Sequence, residues 1–313
     1  MTPRTLCVIA MLGACGGGLP QATPHPEAAP GATVATGQDY PINVAGDGAS
    51  VFWTNHLGGQ VMALAPGGAP RVLAEHQDYP LGIAVDQTDV YWTTLNGGTI
   101  MKVAKTGGAP VTLAHAEFGP SGIALDDHQV YWTNTYGGAV MTVAKTGGTP
   151  ARLAAKQAGP AGIAVAAGVV YWTNHGTELA DGSVMRLAPG GAPTAIATGL
   201  AAPQGLAVDA RAVYWVDHGL APGFDGAVKT APLEGGAPTV LAAGQRGAQE
   251  LAIDGAAVYW SNELEGGVHR IAKRGGAPVA LAAGQARPYG VYVDQAHVYW
   301  VVYREGLIRR AAK

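Results

Sequence analysis

Residues 82–94, Gly82-Ile83-Ala84-Val85-Asp86-Gln87-Thr88-Asp89-Val90-Tyr91-Trp92-Thr93-Thr94, decide how the chain is read. Two apolar runs of strand length flank a short polar turn, the pattern of a tight β-hairpin. Two further strand-like runs follow, Ile100 to Lys105 and Val111 to Ala114, after turns carrying Asn96-Gly97-Gly98 and Gly107-Gly108-Ala109-Pro110. The unit thus reads as four short strands, A to D, with glycine and proline marking the reversals.

The unit recurs. All seven tryptophans fall in one motif, Val51-Phe52-Trp53, Val90-Tyr91-Trp92, Val130-Tyr131-Trp132, Val170-Tyr171-Trp172, Val213-Tyr214-Trp215, Val258-Tyr259-Trp260 and Val298-Tyr299-Trp300, spaced by 39, 40, 40, 43, 45 and 40 residues. Four strands per repeat of this length predict an all-β, seven-bladed β-propeller of four-stranded antiparallel blades. Unit seven offers strands A to C and then the chain ends, while Ala32-Thr33-Val34-Ala35-Thr36-Gly37-Gln38 resembles the strand-D run Thr239-Val240-Leu241-Ala242-Ala243-Gly244-Gln245. An N-terminal strand is therefore expected to complete the last blade, closing the ring and removing its open edges. Residues 32–313 read as a single domain.

The 313 residues carry 19 Lys and Arg against 22 Asp and Glu, a balance that offers nothing to a nucleic acid. Residues 1–15 read as a signal peptide: one cation, Arg4, an apolar stretch from Leu6 to Leu12, and small residues before Cys15. Leu12-Gly13-Ala14-Cys15 resembles the lipobox of bacterial lipoproteins, which implies lipidation of Cys15 and attachment to the cell envelope through the lipid anchor alone. Ordinary secretion is the alternative. Residues 16–31, rich in proline and glycine, are expected to be a flexible tether.

The repeat itself resembles the YWTD propellers of the low-density-lipoprotein-receptor type over residues 40–313, with two departures. That family usually has six blades, and its motif-ending Asp is here Asn55, Thr94, Asn134, Asn174, Asp217, Asn262 and Val302. The resemblance implies a fold and leaves function open.

From the first glycine of each Gly-Gly turn to the next Trp the distance is always 25 residues, whereas from Trp to the following turn it runs from 14 to 20. Length variation is thus confined to the loops between strands B and C. The longest, His175 to Ser183 and His218 to Ala227, should lie side by side on one face, where binding usually resides. His56, His175 and His218 share the place three residues after Trp, read as exposed loop positions, with Glu263 in the same place of the next unit. Counting back along strand A gives a glycine and alanine parity broken by Asn43, Glu250 and Tyr292. If that parity faces the channel, the wall carries almost no chemistry. The acids ending strand A, Asp47, Asp86, Asp126, Asp209, Asp254 and Asp294, are read as turn caps in preference to a cation-binding ring.

The expected function is a monomeric binding or scaffolding module for an envelope protein or glycan partner, without cofactor or bound metal. Its contact surface is His175, His218, Glu263, Gln204, Gln249, Glu250 and Tyr289, with Tyr79 and Phe118 at the rim. The rival is a metal-dependent lactonase, hydrolase or lyase at the same mouth, which would need several converging carboxylates or histidines.

Overall fold

The computed structural model describes residues 31–177 and 180–313. The expected signal peptide and, save for Gly31, the tether lie outside these residues. Twenty-eight strands, β1 to β28, form seven four-stranded antiparallel sheets. The first complete blade is β2 (Pro41–Gly46), β3 (Val51–Asn55), β4 (Gln60–Leu64) and β5 (Arg71–Ala74), running outward from the axis. The last blade has the order β1-β28-β27-β26, so β1 (Ala32–Ala35) pairs with β28 (Leu307–Ala312) beyond β27 (His297–Val302) and β26 (Pro288–Val293). The expected closure by the N-terminal strand is present, with Thr33 opposite Arg309.

The tryptophans build the seams between blades, each indole fully buried. Trp92 of blade two, for example, packs with Phe52, Val61 and Leu73 of blade one. Truncating such a ring costs about 3–5 kcal/mol, because the transfer energy and the cavity left behind add. An indole N–H enclosed there needs an acceptor. Trp53, Trp92, Trp172, Trp260 and Trp300 donate to Gln38, Gln77, Gln157, Gln245 and Gln285, and Trp132 to Glu117, each fifteen residues upstream.

The strand-end acids cap their turns: Asp86 Oδ1 accepts the N–H groups of Thr88 and Asp89. The other oxygen ties blades together. Asp86 Oδ2 accepts the hydroxyl of Tyr91 in its own blade and the Lys145 ammonium of the next. Lys105 meets Asp47, Lys273 meets Asp209 and Lys313 meets Asp254 in the same way. Where blade four has Ala166 in place of the acid, blade five has Leu233 in place of the lysine, and the two join one apolar cluster.

Candidate functional site at the channel mouth

One backbone device repeats around the ring and shapes the mouth. The residue before each inner strand has positive φ in all seven blades: Tyr40 (54°), Tyr79 (57°), Gly119 (69°), Gly159 (66°), Ala202 (56°), Gly247 (69°) and Arg287 (61°). Its carbonyl accepts the N–H of the residue three beyond Trp, at 2.8 to 3.0 Å, which holds His56, Leu95, Thr135, His175, His218, Glu263 and Tyr303 in a second ring. Four of the seven are not glycine, so the mouth stores of order 1–3 kcal/mol of strain at each of those positions.

Each inner strand then carries a bulge. In blade three Pro120 pairs with Asn134 but Ile123 pairs with Trp132, so one extra residue is accommodated at Ser121-Gly122. This breaks period-two counting and corrects the expectation for the channel wall. The glycines face the neighbouring blade, where inner strands approach so closely that a Cβ at Gly82 would collide with the Ser121 carbonyl, and one at Gly122 with that of Ala161. Tyr292 lies at the opposite end of the strands, where its hydroxyl accepts the N–H of Gly48.

The bulge residues surround a cavity of about 150 Å³ at the mouth. One side is apolar and aromatic, built from Ile42, Leu81, Leu95, His56 and Tyr136. The other is polar and contains His175, Gln204, Gln249, Glu250 and Tyr289, five of the residues expected from sequence. His218 and Glu263 stand immediately behind them. Tyr79 packs edge-on against His56 at 4.8 Å, and Phe118, two-thirds exposed, leans on Tyr136 at the rim.

The histidines are not exposed. His56, His175 and His218 are all buried, because the ring of backbone hydrogen bonds draws their positions inward and, in blade five, the longer loop folds Phe224 edge-on over His218 at 5.5 Å. Burial holds the His56 imidazole below its ordinary pKa. Its Nδ1 lies 3.2 Å from the Pro80 carbonyl, which fixes the proton there and leaves a bare Nε2 that no protein group meets.

The two carboxylates have opposite surroundings. Glu263 accepts Gln249 Nε2 at 2.8 Å and the Tyr289 hydroxyl, with Arg287 Nε at 3.4 Å and His218 Nε2 at 3.8 Å. Those donors outweigh its burial and hold it below the usual carboxylate range. Glu250 replaces the bulge glycine of its blade. Enclosure pushes it up to about 7, opposed only by the Leu251 N–H. A Cβ at Gly205 would collide with this carboxylate, so Gly205 leaves the room it occupies. Sequence reasoning missed Arg287 and His56 as members of the site. Arg287 was legible as the one charged residue in a ring position otherwise filled by Gly, Ala or Tyr.

Among the described residues no three His, Cys, Asp or Glu side chains converge on a point able to hold a metal ion. No family model and no curated protein matches the sequence. Solved structures do. A streptogramin B lyase is 16% identical with a TM-score of 0.75, covering 89% of this chain and 95% of that one. A virginiamycin B lyase from Staphylococcus aureus is 13% identical with a TM-score of 0.75, covering 90% and 98%. The nidogen/laminin complex contains a chain 20% identical with a TM-score of 0.63, covering 78% and 97%. At these identities the likeness is one of fold, shared by enzymes and by a protein solved in complex with its partner.

Proposed function

We propose that the chain is a binding propeller of the cell envelope, held to a membrane through lipidated Cys15, which seats part of a protein or glycan partner in the channel mouth. The observation that carries this reading is the half-open cavity with polar capacity on one wall and aromatic rings on the other, combined with strained backbone around its rim. A surface built only for stability would not leave Glu250 without a cation. The YWTD-like repeat and the blade-four and blade-five loops belong to the same reading as scaffold and rim.

A photo-crosslinking residue placed at Gln204 in the mouth, or at Val240 on an outer strand, tests it in native envelope. Adducts from position 204 that exceed those from 240 are expected. Adducts only from 240, or none from either, overturn the mouth as the contact surface.

A second reading is proton-transfer chemistry at the same mouth. It is favoured by Glu250, whose pKa near 7 suits a general base, and by the fold shared with two lyases. An activity abolished by Glu250→Gln with binding retained would select it over binding alone.

A further inference from the structure

The hydrogen-bonding capacity at the mouth is lopsided. On the polar wall several groups turn to one carboxylate: the Gln249 amide and the Tyr289 hydroxyl bond Glu263, and the Arg287 guanidinium and His218 face it at 3.4 and 3.8 Å, while the Gln204 amide remains in the lining. With its amide nitrogen so committed, Gln249 keeps its carbonyl oxygen in reserve. Glu250 in the cavity wall is met by one backbone N–H and by no protein cation. Across the cavity the His56 ring lines the wall, with Nε2 itself buried out of reach. The strands packed against the inner strand that carries Glu250 are β18 (Pro203–Val208), β19 (Ala212–Asp217), β20 (Asp225–Pro232), β23 (Ala257–Asn262) and β26; their titratable groups are Tyr214, Asp217, Asp225, Lys229, Tyr259, Tyr289 and Tyr292, with Lys229 paired to Asp217 at 2.7 Å. What remains is a pocket whose one carboxylate meets no cation, edged by the rings of Tyr136 and Tyr289.

We propose that the mouth selects a compact organic ammonium with an apolar body, its N–H groups on Glu250 and its hydrocarbon part on the Ile42, Leu81 and Tyr136 side. An ammonium has three donors and a charge opposite to that of Glu250, whereas a carboxylate or phosphate is repelled by it, although the Gln204 and Asn43 amides also line the cavity. The cavity admits a ligand of roughly amino-sugar or aralkylamine size. Aromatic walls add cation–π attraction once water is excluded. This assignment rests on the mouth being the binding site and names the chemistry it takes. It also sets a pH dependence: a cation binds the ionised carboxylate, so affinity rises as pH passes the carboxyl pKa and protons are released on binding. His175 also lines the cavity. Arg287 and His218 face Glu263, and burial keeps His56 neutral.

Calorimetric titration of the whole protein with benzylamine and butylamine, and with benzyl alcohol and butanol as neutral isosteres, at pH 6, 7 and 8 tests the proposal. The amines are expected to bind about tenfold more tightly at pH 8 than at pH 6, with proton release at pH 7, and to outbind the alcohols about ten- to a hundredfold. Glu250→Gln should remove both the preference and the pH slope. Should that variant misfold, the isostere and pH comparisons in the unaltered protein still decide. Amines and alcohols binding alike, a flat amine affinity from pH 6 to 8, or no amine heat overturns the assignment. Equal binding of amine and alcohol that an Ala161→Trp plug abolishes would leave the mouth as the binding site and remove only its charge preference.

Discussion

Trp215 donates its indole N–H to Asp217, two residues along its own strand, at 3.0 Å. The other six tryptophans reach a Gln or Glu fifteen residues back, and in blade five that position is Leu200. Loss of one acceptor is matched by gain of another: Asn becomes Asp, and Lys229, 2.7 Å from Asp217, neutralises the new charge. The core of the ring tolerates either solution because each leaves no indole N–H without a partner.

Exchange between the two solutions is therefore predicted to be possible. Gln157→Leu strands the Trp172 indole and the Asn174 amide and should cost about 1–3 kcal/mol in urea unfolding. Adding Asn174→Asp and Met185→Lys, which recreates the blade-five set, should recover most of that loss. The triple variant being less stable than Gln157→Leu would show that the exchange depends on something else in blade five.

The blade-to-blade clamps make the ring sensitive to acid in a defined direction. Lys145 and the capping N–H groups hold Asp86 below its ordinary value. A depressed folded pKa contributes stability above the unfolded value near 3.8 and loses it as pH falls through the folded value. Lys145→Met should cost about 1 kcal/mol at pH 7, discounted for partial exposure, and nothing at pH 1. An acid-unfolding curve of variant and parent that differs most at the lowest pH would contradict the clamp.

Glu250 acts with the opposite sign. Its folded pKa of about 7 lies above the unfolded value near 4.5, so its protonated form stabilises the fold below 4.5 and that contribution is lost as pH rises to 7. Glu250→Gln removes this slope and should leave the variant more stable than the parent at pH 8 by up to about 3 kcal/mol, with little difference at pH 4. Melting temperatures at the two pH values check it. A variant less stable at both would mean that the carboxylate supports the ring.

Cys15→Ala is expected to release the protein from the membrane fraction and abolish incorporation of labelled fatty acid. Retention in membranes would point to another mode of attachment.

Much of the fold was legible because the tryptophan motif and the turns after it recur at nearly fixed spacing, and because residues 32–38 repeat a strand-D segment that unit seven lacks. The wall of the channel was not. A bulge between Pro80 and Ile83 and its counterparts shift the alternation, and no residue type in the sequence announces an extra register position. The burial of His218 was equally hidden, since it depends on Phe224 folding back six residues later. Glu250 stood out as a glycine replaced by an acid. That it lacks a cation while Glu263 gathers four donors depends on tertiary neighbours from separate blades, which spacing cannot reveal.

The mouth is read as a site because it keeps an uncompensated carboxylate in a half-open cavity. Carbon-13 NMR titration of the Glu250 carboxyl, assigned by its absence in Glu250→Gln, measures this directly. A midpoint near 7 is predicted. A midpoint near the ordinary value of 4.5 would show a solvated or neutralised carboxylate and contradict it.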